Sequence, residues 1–367
     1  MERGNLIDEI ASSADVRRLP RNDNYSAIML KWAYHLMSII NVEKLTKTFR
    51  INKKEQGLIG ALKSVFVRKY DDFSAVSDIS FSIEEGELVG FIGPNGAGKT
   101  TTLKMLSGLL YPTKGNVTVA GFTPFERKND FLKKISLVMG QKNQLWWDLP
   151  PMESFLLNKE IYQVPDTQFK TILHELSTLM GVEDILQVQV RNLSLGQRMK
   201  CELIAQLLYS PRILFLDEPT IGLDVVMQKK LRDFIKEYNK RYSATIILTS
   251  HYMDDVKELC KRVIVIDHGK ILFDGALDEV IQTYSNYKLL SIIFDTPPPL
   301  HEIKSLGKVI LHDGLQVNLE VERSKSNEIA AHLLKTYSIA DLNIEEPPIE
   351  EIIRSLFSGK KHGHVHL

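Results

Sequence analysis

From about residue 39 to 283, short apolar β-branched runs alternate with stretches of helical periodicity. That alternation predicts an α/β domain on a largely parallel sheet. The runs at 88–92, 213–216, 245–249 and 263–266 are almost continuously apolar, as strands covered on both faces should be. Further strands are expected at 76–83 and 135–139. After Leu145 the pattern turns mostly helical up to about residue 183, which predicts an inserted helical subdomain, placed at about 141–207. Beyond Tyr284 the pattern changes. Expected strands at 288–294, 308–311, 315–321 and 340–344 interleave with helices at 326–337 and 349–357, the order of a small α+β unit of the split βαβ type. Thr296-Pro297-Pro298-Pro299 reads as a loop within it. The expected layout is a poorly ordered extension (1–36), a main domain (37–284), a small accessory domain (285–358) and a disordered tail (359–367).

Composition narrows the function. A chain of 367 residues is long for one domain, so one large and one small domain is the expected division. Lys plus Arg and Asp plus Glu both total 46; with no global basic field, nucleic acid is not an expected partner. The two cysteines, Cys201 and Cys260, are too few for a disulfide framework and lack zinc-site spacing, so they read as small buried hydrophobes in a reducing cytosol. No stretch offers the roughly 18 to 20 apolar residues that a membrane span needs. The N-terminal region has no signal-peptide layout, its longest apolar stretch ending at Lys31, and folded patterning begins abruptly at Met37. Residues 1–36 are expected to be an extension or the product of a wrongly chosen upstream start. His362, His364 and His366 alternate near the C-terminus and could hold a metal ion, but the expected state is an exposed end.

The chemistry is concentrated in a few motifs. Gly93-Pro94-Asn95-Gly96-Ala97-Gly98-Lys99-Thr100-Thr101 follows the strand at 88–92 and opens a helical pattern. This is a P-loop in its required strand-to-helix context. Its glycines let backbone amides wrap phosphates, Lys99 reaches the β- and γ-phosphates, and the Thr100 hydroxyl ligates Mg2+. The strand at 213–216 delivers Asp217 and Glu218 at its end, as in a Walker B element. There Asp217 holds Mg2+ through its water shell while Glu218 orients and deprotonates the attacking water. Leu193-Ser194-Leu195-Gly196-Gln197 precedes another helical stretch and provides a second helix N-terminus, where Ser194 and Gly196 can meet a γ-phosphate.

Taken in order, these motifs resemble those of the ABC ATPase family over about 39–283, and Leu193 to Gln197 closely resembles the ABC signature. Leu195 departs from the family's usual Gly. The resemblance implies an α/β P-loop NTPase of ABC type, an ATPase using ATP and Mg2+, and a homodimer in which Ser194, Gly196 and Gln197 of one copy meet nucleotide held by the other. It also implies that Gln141, with Gln144 as the nearby rival, is the Q-loop glutamine sensing Mg2+ and the membrane partner. Asp224 would lie in the D-loop at the dimer interface, and His251, in Thr249-Ser250-His251, would be the switch contacting the γ-phosphate. The adenine-stacking aromatic is expected to be Tyr70, with Phe49 as rival.

The same resemblance implies a separate multi-span permease as partner, with the chain at the cytoplasmic face of the cell membrane. Leu58, Leu62, Val65 and Phe66 recur at helical spacing beside Lys63, Arg68 and Lys69. This basic amphipathic helix either packs on its own domain or approaches the membrane partner, as a similar insert does in polysaccharide exporters. Trp146-Trp147 could be core or a hydrophobic socket for the partner. The C-terminal unit resembles the accessory domain of drug-exporter ATPases, which favours export. The other function considered is a soluble ABC ATPase acting on ribosomes or DNA. One cassette, two cysteines and too short a stretch between Lys99 and Ser194 for a long coiled coil all weigh against it.

Overall fold

A computed structural model describes residues 38–52, 70–140 and 144–357. The expected N-terminal extension, the amphipathic helix at 58–69, Gln141 and the histidine tail lie outside the described residues. Among the described residues, no helix is long and apolar enough to cross a membrane.

Apart from a single helical turn at Asn129–Leu132 and short 3-10 turns, the elements in chain order are β1 (Ser38–Asn52), β2 (Tyr70–Glu84), β3 (Leu88–Ile92), α1 (Lys99–Leu106), β4 (Lys114–Val119), β5 (Ile135–Met139), α2 (Pro151–Tyr162), α3 (Asp166–Met180), α4 (Leu195–Leu207), β6 (Ile213–Asp217), α5 (Val225–Tyr242), β7 (Thr245–Thr249), α6 (Met253–Leu259), β8 (Arg262–Asp267) and β9 (Lys270–Ala276). There follow α7 (Leu277–Tyr284), β10 (Tyr287–Phe294), α8 (Leu300–Leu306), β11 (Lys308–Asp313), β12 (Gln316–Glu322), α9 (Ser326–Thr336), β13 (Ile339–Glu345) and α10 (Ile349–Phe357).

The central sheet has six strands in the order β5-β6-β7-β3-β8-β9, parallel except for β9, which runs antiparallel to β8. Alternate residues of its middle strands enter different cores. Leu214, Leu216, Ile246 and Leu248 join the helical layer, whereas Ile213, Phe215 and Ile247 pack with α1 and the three-stranded antiparallel sheet β2-β1-β4. Burial on both faces is why these strands read as continuous apolar runs. The edge strand β9 alternates exposed and half-buried residues instead, and this weak pattern hid it from the sequence reading.

The C-terminal sheet is fully antiparallel, in the order β11-β12-β10-β13. With α8 and α9 it forms a βαββαβ unit whose small core includes Leu290, Ile292, Phe294, Leu319 and Leu333. Helix α8 was not anticipated, because the prolines before it signal only a loop; in fact Pro299 sits at its N-cap. Helix α10 does not belong to that core. Its Ile349, Ile352, Ile353 and Leu356 pack with Leu277 and Val280 of α7, in the same cluster as the central sheet. Both cysteines are buried, and burial pushes the Cys201 thiol up to about 12.

A candidate nucleotide site

Strand β3 ends against the start of α1, with residues 93–98 turning between them. Gly98 sits at φ +110, and a Cβ there would stand 2.5 Å from the Ala75 carbonyl oxygen. Only glycine fits a left-handed position pressed against backbone. Lys99 is 5% exposed. Burial lowers its pKa below the usual lysine value, while Glu218 and then Asp217 pull it back up. Its Nζ donates to the carbonyls of Gly93 at 2.6 Å and Pro94 at 3.1 Å. An ammonium has three protons, so one remains for a ligand at the head of α1, where the helix dipole also favours an anion. Pro94, Asn95 and Gly96 are exposed at the rim, while Thr100 and Thr101 are half-buried in the first helical turn.

Asp217 and Glu218 meet this loop from β6. Thr100 Oγ1 donates to Asp217 Oδ2 at 2.8 Å, and Thr249 Oγ1 donates to Asp217 Oδ1 at 2.7 Å. Glu218 has φ 54, the left-handed region, and its amide N–H donates to the Thr249 carbonyl at 3.0 Å. A non-glycine residue held there is strained, and such strain clusters at functional sites. His251, two residues past β7, brings Nε2 to 2.6 Å from Glu218 Oε1. Parallel pairing of β6 with β7 aligns Asp217 with Thr249, so residues far apart in sequence converge at neighbouring strand ends.

Gly140 is tied to the same acids. Its amide donates to the Asp217 carbonyl at 2.9 Å, and a Cβ on it would lie 2.1 Å from the Glu218 carbonyl oxygen. The chain therefore passes the two acids just before Gln141. Gln144 faces elsewhere: its Nε2 donates to the Leu137 carbonyl of β5 at 2.9 Å.

Two further helices begin side by side. Ser194 caps α4 with a capping box, its Oγ accepting from Gln197 N while Gln197 Oε1 accepts from Ser194 N. The Ser194 hydroxyl keeps its own proton to donate, whereas the Gln197 carbonyl is used in the box. Asp224 caps α5 by accepting from Met227 N at 2.9 Å. A Cβ on Gly196 would lie 3.0 Å from Met227 Cγ, so the two starts are in contact. Leu195 has a structural explanation here: a Cβ on Gly222 would be 3.0 Å from Leu195 Cδ2. The leucine fills the space beside a bare glycine of the turn leading to Asp224.

Trp146 and Trp147 are 58% and 48% exposed, so neither is a core residue. Leu156, Leu157 and Ile161 of α2 are exposed as well.

The sequence reading missed Asp255, which is fully buried on α6. Its carboxylate accepts from Thr220 Oγ1 at 2.5 Å, Ser250 Oγ at 2.6 Å and the Arg232 guanidinium at 2.9 Å. Thr220 follows Glu218 by two residues and Ser250 precedes His251, so one carboxylate holds both segments. No local signal marks it, since an acid in a first helical turn is ordinarily a solvated partner of the helix dipole.

A strand-loop-helix phosphate cradle faced by a strand-end acid pair, with an inserted helical layer, defines a P-loop nucleoside triphosphatase. Comparison with known proteins narrows this. A family model described as ABC transporter matches residues 76–221, and one described as EvrA-like ABC transporter, C-terminal domain, matches residues 286–345. The ABC transporter ATP-binding protein NatA of Bacillus subtilis is 35% identical over 209 residues, 57% of this chain and 85% of NatA. The linearmycin resistance ATP-binding protein LnrL of the same organism is 27% identical over 299 residues, 79% of this chain and 95% of LnrL. Proteins named for import match as well as proteins named for export. Among solved structures, the dimeric structure of a post-hydrolysis state of an ATP-binding cassette bound to ADP and Pi shares the fold at TM-score 0.54 and 23% identity, covering 65% of this chain and 98% of that one. The chain belongs to the ABC transporter ATP-binding proteins and is an ABC-type ATPase.

Proposed function

We propose that this chain powers an exporter, hydrolysing ATP to drive a separate multi-span permease from the cytoplasmic face of the cell membrane. The observation that carries the catalytic part is the convergence of Thr100, Asp217, Glu218 and His251 beside Lys99. Lys99 and the backbone N–H groups of the loop from Asn95 to Thr101 hold the phosphates. The oxygen donors of Thr100 and Asp217 suit a hard cation such as Mg2+, which would neutralise phosphate charge when bound, with Gln141 completing its surroundings. Glu218 takes a proton from the attacking water, and His251 orients Glu218 and contacts the γ-phosphate.

Two copies enclose two ATP molecules, each site completed by Ser194 and Gly196 of the other copy. Asp224 lies at that interface. Val225 and Val226 beside it are 77% and 66% exposed, an apolar pair suited to burial between copies. Gln197 acts by shaping the α4 terminus. The exposed Trp146, Trp147, Leu156 and Leu157 form the surface offered to the permease. Export is supported by the likeness to LnrL, a resistance protein matched over most of both chains. The unit at 285–358 contributes to dimer contact or regulation, with α10 anchoring it to the main domain. The chain is expected to copurify with a polytopic membrane protein; if no such protein accompanies it from detergent-solubilised membranes, the transporter reading falls.

Phe49 fits the adenine position better than Tyr70. It pairs directly across the hairpin with Phe73, and Phe73 is two residues from Ala75, which abuts Gly98. Tyr70 is five residues away from Ala75, about 16 Å along an extended strand. The Phe49 ring is 36% exposed, with Lys47 Nζ 5.2 Å from its centroid. Stacking contributes roughly 1 to 3 kcal/mol, so Phe49→Ala should weaken ATP binding at least several-fold while Tyr70→Ala leaves it nearly unchanged. Titration with a fluorescent ATP analogue checks this, and the opposite ranking reassigns the site to Tyr70.

A further inference from the structure

The segment that carries the tryptophans is fastened to helix α4 at two points one helical turn apart. Glu202 is 4% exposed, and both of its oxygens accept from the Gln144 amide N–H, at 2.9 and 3.0 Å. Oε1 also accepts from the Leu145 amide at 3.2 Å. One turn earlier on the same helix face, the Arg198 guanidinium lies 5.6 Å from the Trp147 ring centroid, a cation–π distance. Burial raises the Glu202 carboxyl above its usual value, and the two amides and Arg198 pull it back down. A buried carboxylate is retained where it satisfies backbone donors that would otherwise be orphaned.

On its other side the segment is held to the parallel sheet by the Gln144 bond to Leu137 and by Leu145, which is 5% exposed in the helical-layer core. Ser194 caps the start of helix α4, one turn before Arg198. The Arg191 amide, three residues before Ser194, also donates to the Trp147 carbonyl at 3.0 Å, so Trp147 and Ser194 belong to one short connected unit.

We propose that Glu202 is a positioning residue: its carboxylate locks the 144–147 segment to α4, so that Ser194 and the tryptophan surface move together when the dimer closes on nucleotide. The inference rests on the proposed role of Ser194 at the partner copy's nucleotide. Coupling of this kind is a shared bias on one two-state element and acts equally in both directions. Closure on ATP displaces the tryptophans, and a load on the tryptophans changes how readily Ser194 engages.

Trp32, Trp146 and Trp147 are the chain's tryptophans, so Trp32→Phe leaves fluorescence reporting on the segment alone. In the full-length chain carrying Trp32→Phe and Glu218→Gln, Mg-ATP is expected to shift tryptophan emission in step with dimer formation followed by size exclusion. Adding Glu202→Gln keeps one acceptor oxygen but removes the charge and sets an amide NH2 donor where Oε2 now accepts from the Gln144 N–H, so that donor faces donor. The emission shift should then be lost and the ATP concentration for half-dimerisation should rise about five- to tenfold. Binding of a fluorescent ATP analogue to the monomer should stay within twofold, because Lys99 and its loop are untouched. A purely structural role would lower the melting temperature without uncoupling emission from dimerisation. An unchanged emission shift and half-point in the Glu202→Gln chain overturns the proposal and leaves the ATP-sandwich reading intact. Absence of any ATP-dependent dimer in the parent chain overturns both. Should Glu202→Gln fail to fold, Arg198→Met carries the test by removing the cation at Trp147, and an unchanged shift there overturns the proposal.

Discussion

Glu218→Gln is expected to lower ATP hydrolysis about 10³-fold, the scale of a lost general base, or about 4 kcal/mol of barrier. Glutamine keeps the side-chain size. The main-chain bond from Glu218 N to the Thr249 carbonyl does not involve the side chain. Thr100, Thr249 and Asp217 keep their mutual hydrogen bonds, so phosphate binding should survive. The capacity to take a proton from water is removed, together with the negative charge beside His251 and Lys99. On the proposed two-copy site, in which binding drives closure and hydrolysis reverses it, a chain that binds ATP but cannot hydrolyse it should accumulate as the closed dimer. Phosphate release and size exclusion in Mg-ATP measure the two halves of the expectation. Hydrolysis retained within tenfold would remove Glu218 from the role of base. Loss of hydrolysis without a dimer would count against the two-copy site.

Asp255→Ala is expected to destabilise the chain by about 3 kcal/mol, the lower end for breaking a buried ion pair by deleting one partner. Arg232 and Asp255 have side chains 7% and 0% exposed, so the guanidinium would stay buried with only Glu258, 3.2 Å from its Nε, to offset its charge. Thr220 and Ser250 would lose their common acceptor as well. At roughly 2 to 4 °C per kcal/mol, the melting temperature should fall by several degrees. Hydrolysis in the remaining folded fraction should also fall, since Thr220 and Ser250 flank Glu218 and His251. Replacing both members by apolar residues, Asp255→Leu with Arg232→Met, should be less damaging than Asp255→Ala. Thermal melts of the three proteins decide this; a double variant as unstable as the single one would show that the pair matters for more than charge compensation.

The parts of the site that were legible before the structure are those whose chemistry is carried by neighbours in the chain. The loop from Gly93 to Thr101 needs glycines and a lysine at fixed offsets between a strand and a helix, and Asp217-Glu218 needs an apolar strand to deliver it. Ser194 and Gln197 form a capping box within four residues of chain. The fully buried strands showed themselves because the sheet is covered on both faces. By contrast, β9 lies at an edge and α8 follows a proline run, so neither has a pattern strong enough to stand out.

Glu202 and Asp255 could not have been singled out, because each looks like a surface acid on a helix until the fold is known. Their partners lie elsewhere: Gln144 and Leu145 are 58 and 57 residues from Glu202, and Arg232 and Thr220 are 23 and 35 from Asp255. The same holds for Leu195, which looks like a defect in its motif until Gly222 is seen beside it, and for α10, whose apolar face is plain but whose destination against α7 is not.

The feature of this chain written in its local order is a phosphate-binding loop, an acid pair and a capped second helix, since hydrogen bonding and backbone conformation over a few residues suffice to build each one. Their assembly was decided only by the fold. The pairing of β6 with β7 brings Thr249 and His251 to Asp217 and Glu218, and buried carboxylates tie the surrounding loops together. A buried charge is stable only where distant donors converge on it, and that convergence is a property of packing that no short stretch of sequence contains.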